Sequence, residues 1–277
     1  MLMRIKNRTS PFNWLVLLTC IFMLASGCAN IPDPADSEAV AVYMQVNDPI
    51  EPINRAIFAL NNNLDKVILK PVAETYSDTM PNTARLGIHN ALNNLQTPVI
   101  LLNDVLQGDM NRSLTTLMRF LINSTVGMFG LADAASELGM ARHVKDFGQT
   151  LAVWGVPSGS YLMLPVFGPS NPRDAVGLVV DFLTDPINIW ATNTERLEIS
   201  LGHDGAHTID KRTLNLELLN ELEKSSLDFY AAIRSLYKQQ RGKEIFNGTV
   251  NTLPQVSGLT IYPGLQELDD EELSWRK

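Results

Sequence analysis

Apolar residues recur along this chain at helical spacing. Ile53, Ile57, Leu60, Leu64 and Val67 step by four and three opposite Asn54, Asn61, Asn62 and Asp65, which predicts an amphipathic helix. Asp48 and Glu51 have the spacing of a capping box at its start, with Pro49 suited to a first helical position. Pro81-Asn82 opens a second helix, whose face carries Ala84, Ile88, Ala91, Leu92 and Leu95. Thr97-Pro98 begins a third, short and strongly apolar, running through Val99, Ile100, Leu101 and Leu102 to Val105 and Leu106. After Gly108, Asp109 caps a fourth. Its two sides are sharply divided: Met110, Leu114, Leu117, Met118, Leu121 and Ile122 on one, Arg112, Thr116, Arg119 and Asn123 on the other. Asn171-Pro172 leads into an apolar helix over Ala175 to Leu183, and Asp185-Pro186 starts another. Leu222, Ser226, Phe229, Ile233 and Leu236 predict one long amphipathic helix within 209–241. No convincing run alternates with the period of a strand, so the fold class expected is all-α.

Two stretches break the helical pattern. From Gly127 to Gly139, Met128, Phe129 and Leu131 stand among glycines, as a lipid-facing or gating hairpin would have them, or as core packing with tight turns. From Gly155 to Pro172, glycine and proline surround Tyr161 to Phe167, an apolar hairpin or irregular connection.

The N-terminus has the three parts of a secretory signal: basic Arg4, Lys6 and Arg8, an apolar run from Trp14 to Ala25 too short to span a bilayer, and small residues before a cysteine. Leu24-Ala25-Ser26-Gly27-Cys28 resembles a lipobox, so cleavage before Cys28 and acylation of that residue are expected, and Ala29 after it points to the outer membrane. With the helical pattern this divides the chain into a signal peptide (1–27), a lipidated tether (28–46), a helical body (47–241) and an acidic, disordered tail (242–277).

Composition narrows the chemistry. Cys20 leaves with the signal, so the mature chain has no possible internal disulfide. Without Arg4, Lys6 and Arg8 it has 22 − 3 = 19 basic residues against 30 acidic ones, a net charge of −11, which argues against nucleic acid as a partner. Charged residues are 19% and apolar ones 45% of the chain, an apolar balance for a secreted protein. No metal-ligand motif appears among His89, His143, His203 and His207; His203 and His207 flank Gly205 in what reads as a loop. Ser158 lacks the glycine spacing of a nucleophile elbow, so no catalytic residue and no cofactor is assigned.

Five blocks in order behind the lipobox resemble the MlaA/VacJ family of outer-membrane lipoproteins: Asn47-Asp48-Pro49-Ile50-Glu51 with Asn54-Arg55; Asn123 to Gly127 with Asp133; Asp146 to Leu151 with Trp154-Gly155; Leu164-Pro165 with Gly168-Pro169-Ser170 and Arg173-Asp174; and Ser226 to Tyr230 with Arg234, Tyr237 and Gln239. Pro52 and Ile53 depart from the family's usual glycine and aromatic, and Pro157 and Ser160 from its Gly-x-Gly-Pro turn. The resemblance implies a ring-like bundle of amphipathic helices in the inner leaflet of the outer membrane, lipid-anchored on the periplasmic face, with a central amphipathic channel. It also implies phospholipids as cargo, trimeric porins as neighbours and a soluble periplasmic MCE-type lipid carrier as recipient. On that frame Arg112, Thr116, Arg119 and Asn123 are candidates for a polar wall that meets head groups, since arginine grips phosphate with two parallel hydrogen bonds. A solvated face or ion pairs with Asp and Glu is the alternative. A scaffold lipoprotein that moves no lipid is the rival function, and a surface lipase a third.

Overall fold

The computed structural model describes residues 48–245; Cys28, the tether and nearly all of the tail lie outside them. The chain opens with α1 (Glu51–Leu64), one π-helical turn (Asp65–Leu69) and α2 (Lys70–Thr79), a continuous helical run. The wide turn comes just before Pro71, which has no N–H for the helical ladder. Asp48 is no cap: α1 starts after Ile50 without a side-chain hydrogen bond, and the Asp48 carboxylate is buried among other partners.

Next comes α3 (Asn82–Leu106), 25 residues long with Pro98 inside it, where the sequence predicts two helices. A mid-helix proline costs roughly 3 kcal/mol. Here Leu92, Asn94, Val99 and Ile100 are buried on both sides of it, and tertiary packing keeps the two halves in one line. Asp109 caps α4 (Met110–Thr125) by accepting from the Arg112 amide at 3.1 Å, as predicted. Asp133 caps the single turn α5 (Ala134–Glu137), and Asp146 caps α6 (Phe147–Val153).

The stretch around Tyr161 is a hairpin, β1 (Leu162–Leu164) against β2 (Gly168–Ser170), antiparallel with Met163 opposite Pro169. It is stitched to α1 by two asparagines. Asn54 accepts from the Met163 amide at 2.9 Å and donates to the Tyr161 carbonyl at 3.1 Å, while Asn61 makes the same pair of bonds to Val166 and Leu164.

Asn171 caps α7 (Pro172–Thr184), and Asp185 caps α8 (Pro186–Asn193). The predicted helix within 209–241 is instead the end of α9 (Leu197–Leu214), α10 (Leu216–Ser225) and the start of α11 (Phe229–Ile245). Its period from Leu222 to Leu236 runs unbroken across the second interruption, which is why the pattern hid it; Ser226 turns extended and the Asp228 carboxylate accepts from the Ala231 amide at 3.2 Å. α11 passes Arg241, so the first four residues of the expected tail are helical. His203 and His207 lie in α9 and not in a loop; Gly202 and Gly205 are both inside that helix and neither has a positive φ, so neither interrupts it.

Burial is inverted relative to a water-soluble protein. Among the described residues nine hydrophobic side chains are buried against twenty-two polar or charged ones, while large apolar residues line the outside of most helices. The small apolar core is Tyr161, Met163 and Tyr230, joined edge to face with Phe58, Phe229 and Tyr237. No helix among the described residues is long and apolar enough to cross a membrane.

Candidate functional site

The inversion is sharpest on α4. Thr116, Arg119 and Asn123 are 3%, 8% and 7% exposed, whereas Met110, Leu114 and Leu121 on the opposite face are 65%, 56% and 49% exposed. An ordinary globular helix does the reverse. α1 and the π-helical turn after it follow the same rule, with Asn54 buried and Ile53, Leu60 and Val67 outside.

The structure brings three of the four predicted wall residues together. Thr116, Arg119 and Asn123 line a cavity of about 40 Å³. Arg112 is not part of it: half-exposed one turn back, its Nε lies 3.3 Å from Asp109. Arg119 is held at both ends. Its Nη2 meets the two Asp133 oxygens at 3.0 and 2.8 Å, and its Nη1 donates to Ser136 Oγ and the Met140 carbonyl. Burial alone would raise Asp133, but hydrogen bonds from Ser136, Asn123 and Arg119 outweigh it and hold the carboxyl below the usual range. Arg119 is thus the ion-paired arginine that the alternative reading describes.

Thr116 donates to Asp104 at 2.6 Å, and His143 Nε2 stands 2.9 Å from Asp104 and 3.3 Å from Thr116. These three resemble a hydrolase triad only in composition. Hydroxyl and carboxylate meet the same ring nitrogen, whereas a relay needs one on each. No group of three or more His, Cys, Asp or Glu that could hold a metal occurs among the described residues. His203 Nδ1 lies beside Asp204, and burial lowers His207 to about 4.

The other cavity wall went unread in the sequence. Asn90, Asn93, Asn94 and Thr97 form a polar stripe on α3, and Arg142 and His143 come from the extended segment before α6. Asparagine is a poor helix former, so three in five positions were a signal that the apolar face obscured. Arg142 lies outside any periodic element and had none.

Met128, Phe129 and Leu131 are 67%, 86% and 50% exposed, which excludes core packing for them. Met128 and Phe129 both have positive φ, 53° and 62°, a conformation few non-glycine residues adopt. The frame that enforces it is the end of α4: Phe129 and Gly130 donate to the carbonyls of Ser124 and Asn123, and Asn90 holds the Leu131 carbonyl at 3.3 Å. Gly130 lies flush on Asn94, where an added Cβ would fall 2.5 Å from the Asn94 Cβ.

Two ion clusters tie α11 to α6 and α7 and to the start of α1. Arg241 reaches Asp146 at 2.6 and 2.7 Å and Asp174 at 2.7 Å, and Tyr237 donates to Asp174. Buried Asp48 takes Arg234 at 2.7 Å, Asn54 at 2.7 Å and the Tyr230 hydroxyl. Lys211 is exposed to water, yet desolvation and Arg142 lower its ammonium against the pull of Glu244, Asp210 and Asp146.

The MlaA lipoprotein family model matches residues 46–244. An intermembrane phospholipid transport system lipoprotein MlaA of Shigella flexneri is 32% identical over 232 residues, covering 81% of this chain and 89% of its own length. The Escherichia coli protein of the same name matches to the same extent. An uncharacterized protein of Rickettsia felis is 34% identical over 199 residues, covering 72% of this chain and 78% of its own. A solved structure described under "Structural basis for maintenance of bacterial outer membrane lipid asymmetry" superposes with a TM-score of 0.63 at 35% identity, over 72% of this chain and 98% of that one.

Proposed function

This chain belongs to the MlaA lipoprotein family, and on that premise we propose that it removes phospholipids misplaced in the outer leaflet of the outer membrane and hands them inward for return to the inner membrane. The observation that carries the reading is the inverted α4: a buried polar face with Arg119 and Asn123, backed by a leucine and methionine face turned outward. A phospholipid needs both at once. Each methylene exposed to water costs about 0.8 kcal/mol, while a phosphate in hydrocarbon needs partners. Amphipathic helices that point polar faces at a shared interior and apolar faces at acyl chains supply a polar path inside an apolar collar. The transfer needs no bond made or broken.

In this reading the helices form a ring in the inner leaflet, held from the periplasmic side by acyl chains on Cys28 and the tether 28–46. Two or three acyl chains hold a protein firmly where one does not. Thr116, Arg119 and Asn123 belong to the polar wall, and Met128, Phe129 and Leu131 form the lipid-facing edge. Trimeric porins are the proposed neighbours and a soluble MCE-type carrier the proposed recipient.

The test is purification of the full acylated chain in mild detergent and native mass spectrometry of what comes with it. Bound intact phospholipid supports a conduit; its absence would leave the scaffold reading, and lysophospholipid or free fatty acid would point to a lipase. Deleting the gene should raise phospholipid in the outer leaflet.

A further inference from the structure

The cavity between α3 and α4 divides its polar groups by kind. Every donor-bearing side chain on its lining already gives to an acceptor. Arg119 gives to Asp133, Ser136 and the Met140 carbonyl, and Arg142 to Asn93 Oδ1 at 2.6 Å and His89 Nε2 at 3.3 Å. The hydroxyls of Thr116 and Thr97 donate to Asp104 and to the Asn93 carbonyl, and His143 Nε2 faces Asp104 at 2.9 Å. The amide nitrogens of Asn90, Asn93 and Asn123 go to the Leu131 carbonyl, His89 and Asp133. Asn94 is different. It is 5% exposed, its Nδ2 donates to Ser124 Oγ at 2.9 Å, and its Oδ1 is the one buried side-chain atom of the lining without a hydrogen bond. The reverse turn of the amide would leave two N–H groups over in place of one oxygen, the costlier arrangement. An acceptor on the wall therefore lacks a donor, and a buried polar group in that state costs free energy until one is supplied. Thr97, three residues on and so on the same face of α3, keeps the lone pairs of its hydroxyl.

The cavity measures about 40 Å³, room for about three water-sized groups. Arg142 on its lining is exposed, so the cavity opens to the outside there. A cation at that opening favours a neutral donor over an ammonium. Apolar surface adjoins: Asn90 holds the Leu131 carbonyl at 3.3 Å, Leu131 is 50% exposed, and Leu86, one turn before Asn90 on α3, is 54% exposed. A lipid can keep an acyl chain on these leucines while its polar end enters.

We propose that this cavity reads the hydroxyl groups of a phospholipid head group, which donate to Asn94 Oδ1 and Thr97 Oγ1, with an acyl chain along Leu131 and Leu86. The inference rests on the phospholipid reading above and adds a preference: head groups that end in an alcohol, such as glycerol, over those that do not. No arginine has to release a partner. What is recognised is the O–H donor, because the wall's own donors are engaged and its unmet group is an acceptor.

The experiment uses the full acylated chain in mild detergent, as wild type, Thr97→Val and Asn94→Leu. Each is stripped, reloaded from an equimolar mixture of phosphatidylglycerol and phosphatidylpropanol with the same acyl chains, and weighed by native mass spectrometry. The two lipids match in charge and nearly in size and differ by two hydroxyls. Wild type should take up phosphatidylglycerol in about fivefold excess, the size of one net hydrogen bond, and each variant should bring the ratio towards one. Equal uptake by wild type overturns the proposal, as does an unchanged ratio in Thr97→Val. That variant replaces a hydroxyl with a methyl of the same shape, so it decides the matter even if Asn94→Leu misfolds. An excess of phosphatidylethanolamine over phosphatidylethanol, with none of phosphatidylglycerol over phosphatidylpropanol, would make the cavity an ammonium site and also overturn it. A preference abolished by millimolar glycerol would assign the cavity to a free polyol instead. A wild type that takes up no phospholipid would bring down the transport reading itself, a result distinct from equal uptake of both lipids, which sinks only the preference.

Discussion

Gly148 and Gly177 touch backbone to backbone: a Cβ on Gly177 would fall onto the Gly148 nitrogen and 2.7 Å from its Cα. No side chain fits between α6 and α7 at this crossing. The contact sets Asp146, the cap of α6, and Asp174, in the first turn of α7, on the same guanidinium of Arg241. A Cβ on Gly148 would itself stand 2.6 Å from Arg241 Nη2. Helix packing and the ion cluster are therefore one arrangement.

Gly177→Ala should destabilise the protein by about 3 kcal/mol, the upper part of the overpacking range, because backbone cannot yield as a side chain can. Gly202→Ala should do the opposite, adding roughly 0.5–1 kcal/mol, since Gly202 is inside α9 with nothing within 4 Å of a new Cβ. Thermal unfolding in mild detergent compares the two; a Gly177→Ala variant as stable as wild type contradicts the packing argument.

Arg241→Ala leaves two largely buried carboxylates without their cation and should cost about 3–5 kcal/mol at neutral pH. Burial pushes Asp146 and Asp174 up, and the hydrogen bonds and charge of Arg241 outweigh it, so both are held below the ordinary value in the folded protein. Their contribution is therefore present above about pH 4 and lost as pH falls through the lowered values. Without Arg241 the same carboxyls rise. The stability gap between wild type and Arg241→Ala should narrow steadily from pH 7 to pH 4, and a constant gap would show that the ion cluster is not the source.

The helix-forming positions of α4 and the caps Asp109 and Asp185 were legible because a 3.6-residue period and a short acidic side chain are local signals. Which face of α4 is buried was not. Periodicity divides Thr116 and Arg119 from Leu117 and Leu121 but is blind to the solvent outside, and only the expectation of a lipid surroundings put the leucines outward. Continuity was also hidden: Pro98 reads as a boundary, yet packing carries α3 through it, whereas the unbroken pattern from Leu222 to Leu236 runs over a real break at Ser226. For the site, Asn123 and Arg119 could be chosen from one helix face, but Asp133, which binds both, and Arg142, which lines the same cavity, come from segments with no period at all.

Asp181 gives the opposite pH signature to Asp146. Its carboxylate accepts from the Phe147 amide at 2.9 Å and Asn103 at 2.9 Å, but burial outweighs both and pushes it up to about 6. A raised acid binds its proton more readily folded than unfolded, so stability is lost as pH rises from about 4 to 6. Relative to wild type, Asp181→Asn should gain on the order of 2 kcal/mol between pH 4 and pH 7, allowing for the part exposure of the site. Unfolding temperatures of the pair at pH 4, 5, 6 and 7 read this directly, and a difference independent of pH would refute the assignment.

The last prediction separates the anchor from the body. If the exposed faces of α4 and of the hairpin meet acyl chains, removing the acylated residue should not release the protein from lipid. Cys28→Ser is expected to float with phospholipid vesicles, because Leu114, Leu121 and Phe129 each bury side chains worth roughly 1.5–3 kcal/mol when taken from water. Leu121→Glu with Phe129→Asp in that background removes two such contributions and sets two carboxylates against hydrocarbon, so the floating fraction should fall at least tenfold. Neither residue is buried, so the fold itself should survive, which circular dichroism checks. A Cys28→Ser chain that stays in the aqueous phase as a lipid-free monomer would mean that those apolar faces cover something other than lipid, and an interior of buried asparagines and ion pairs would need another explanation.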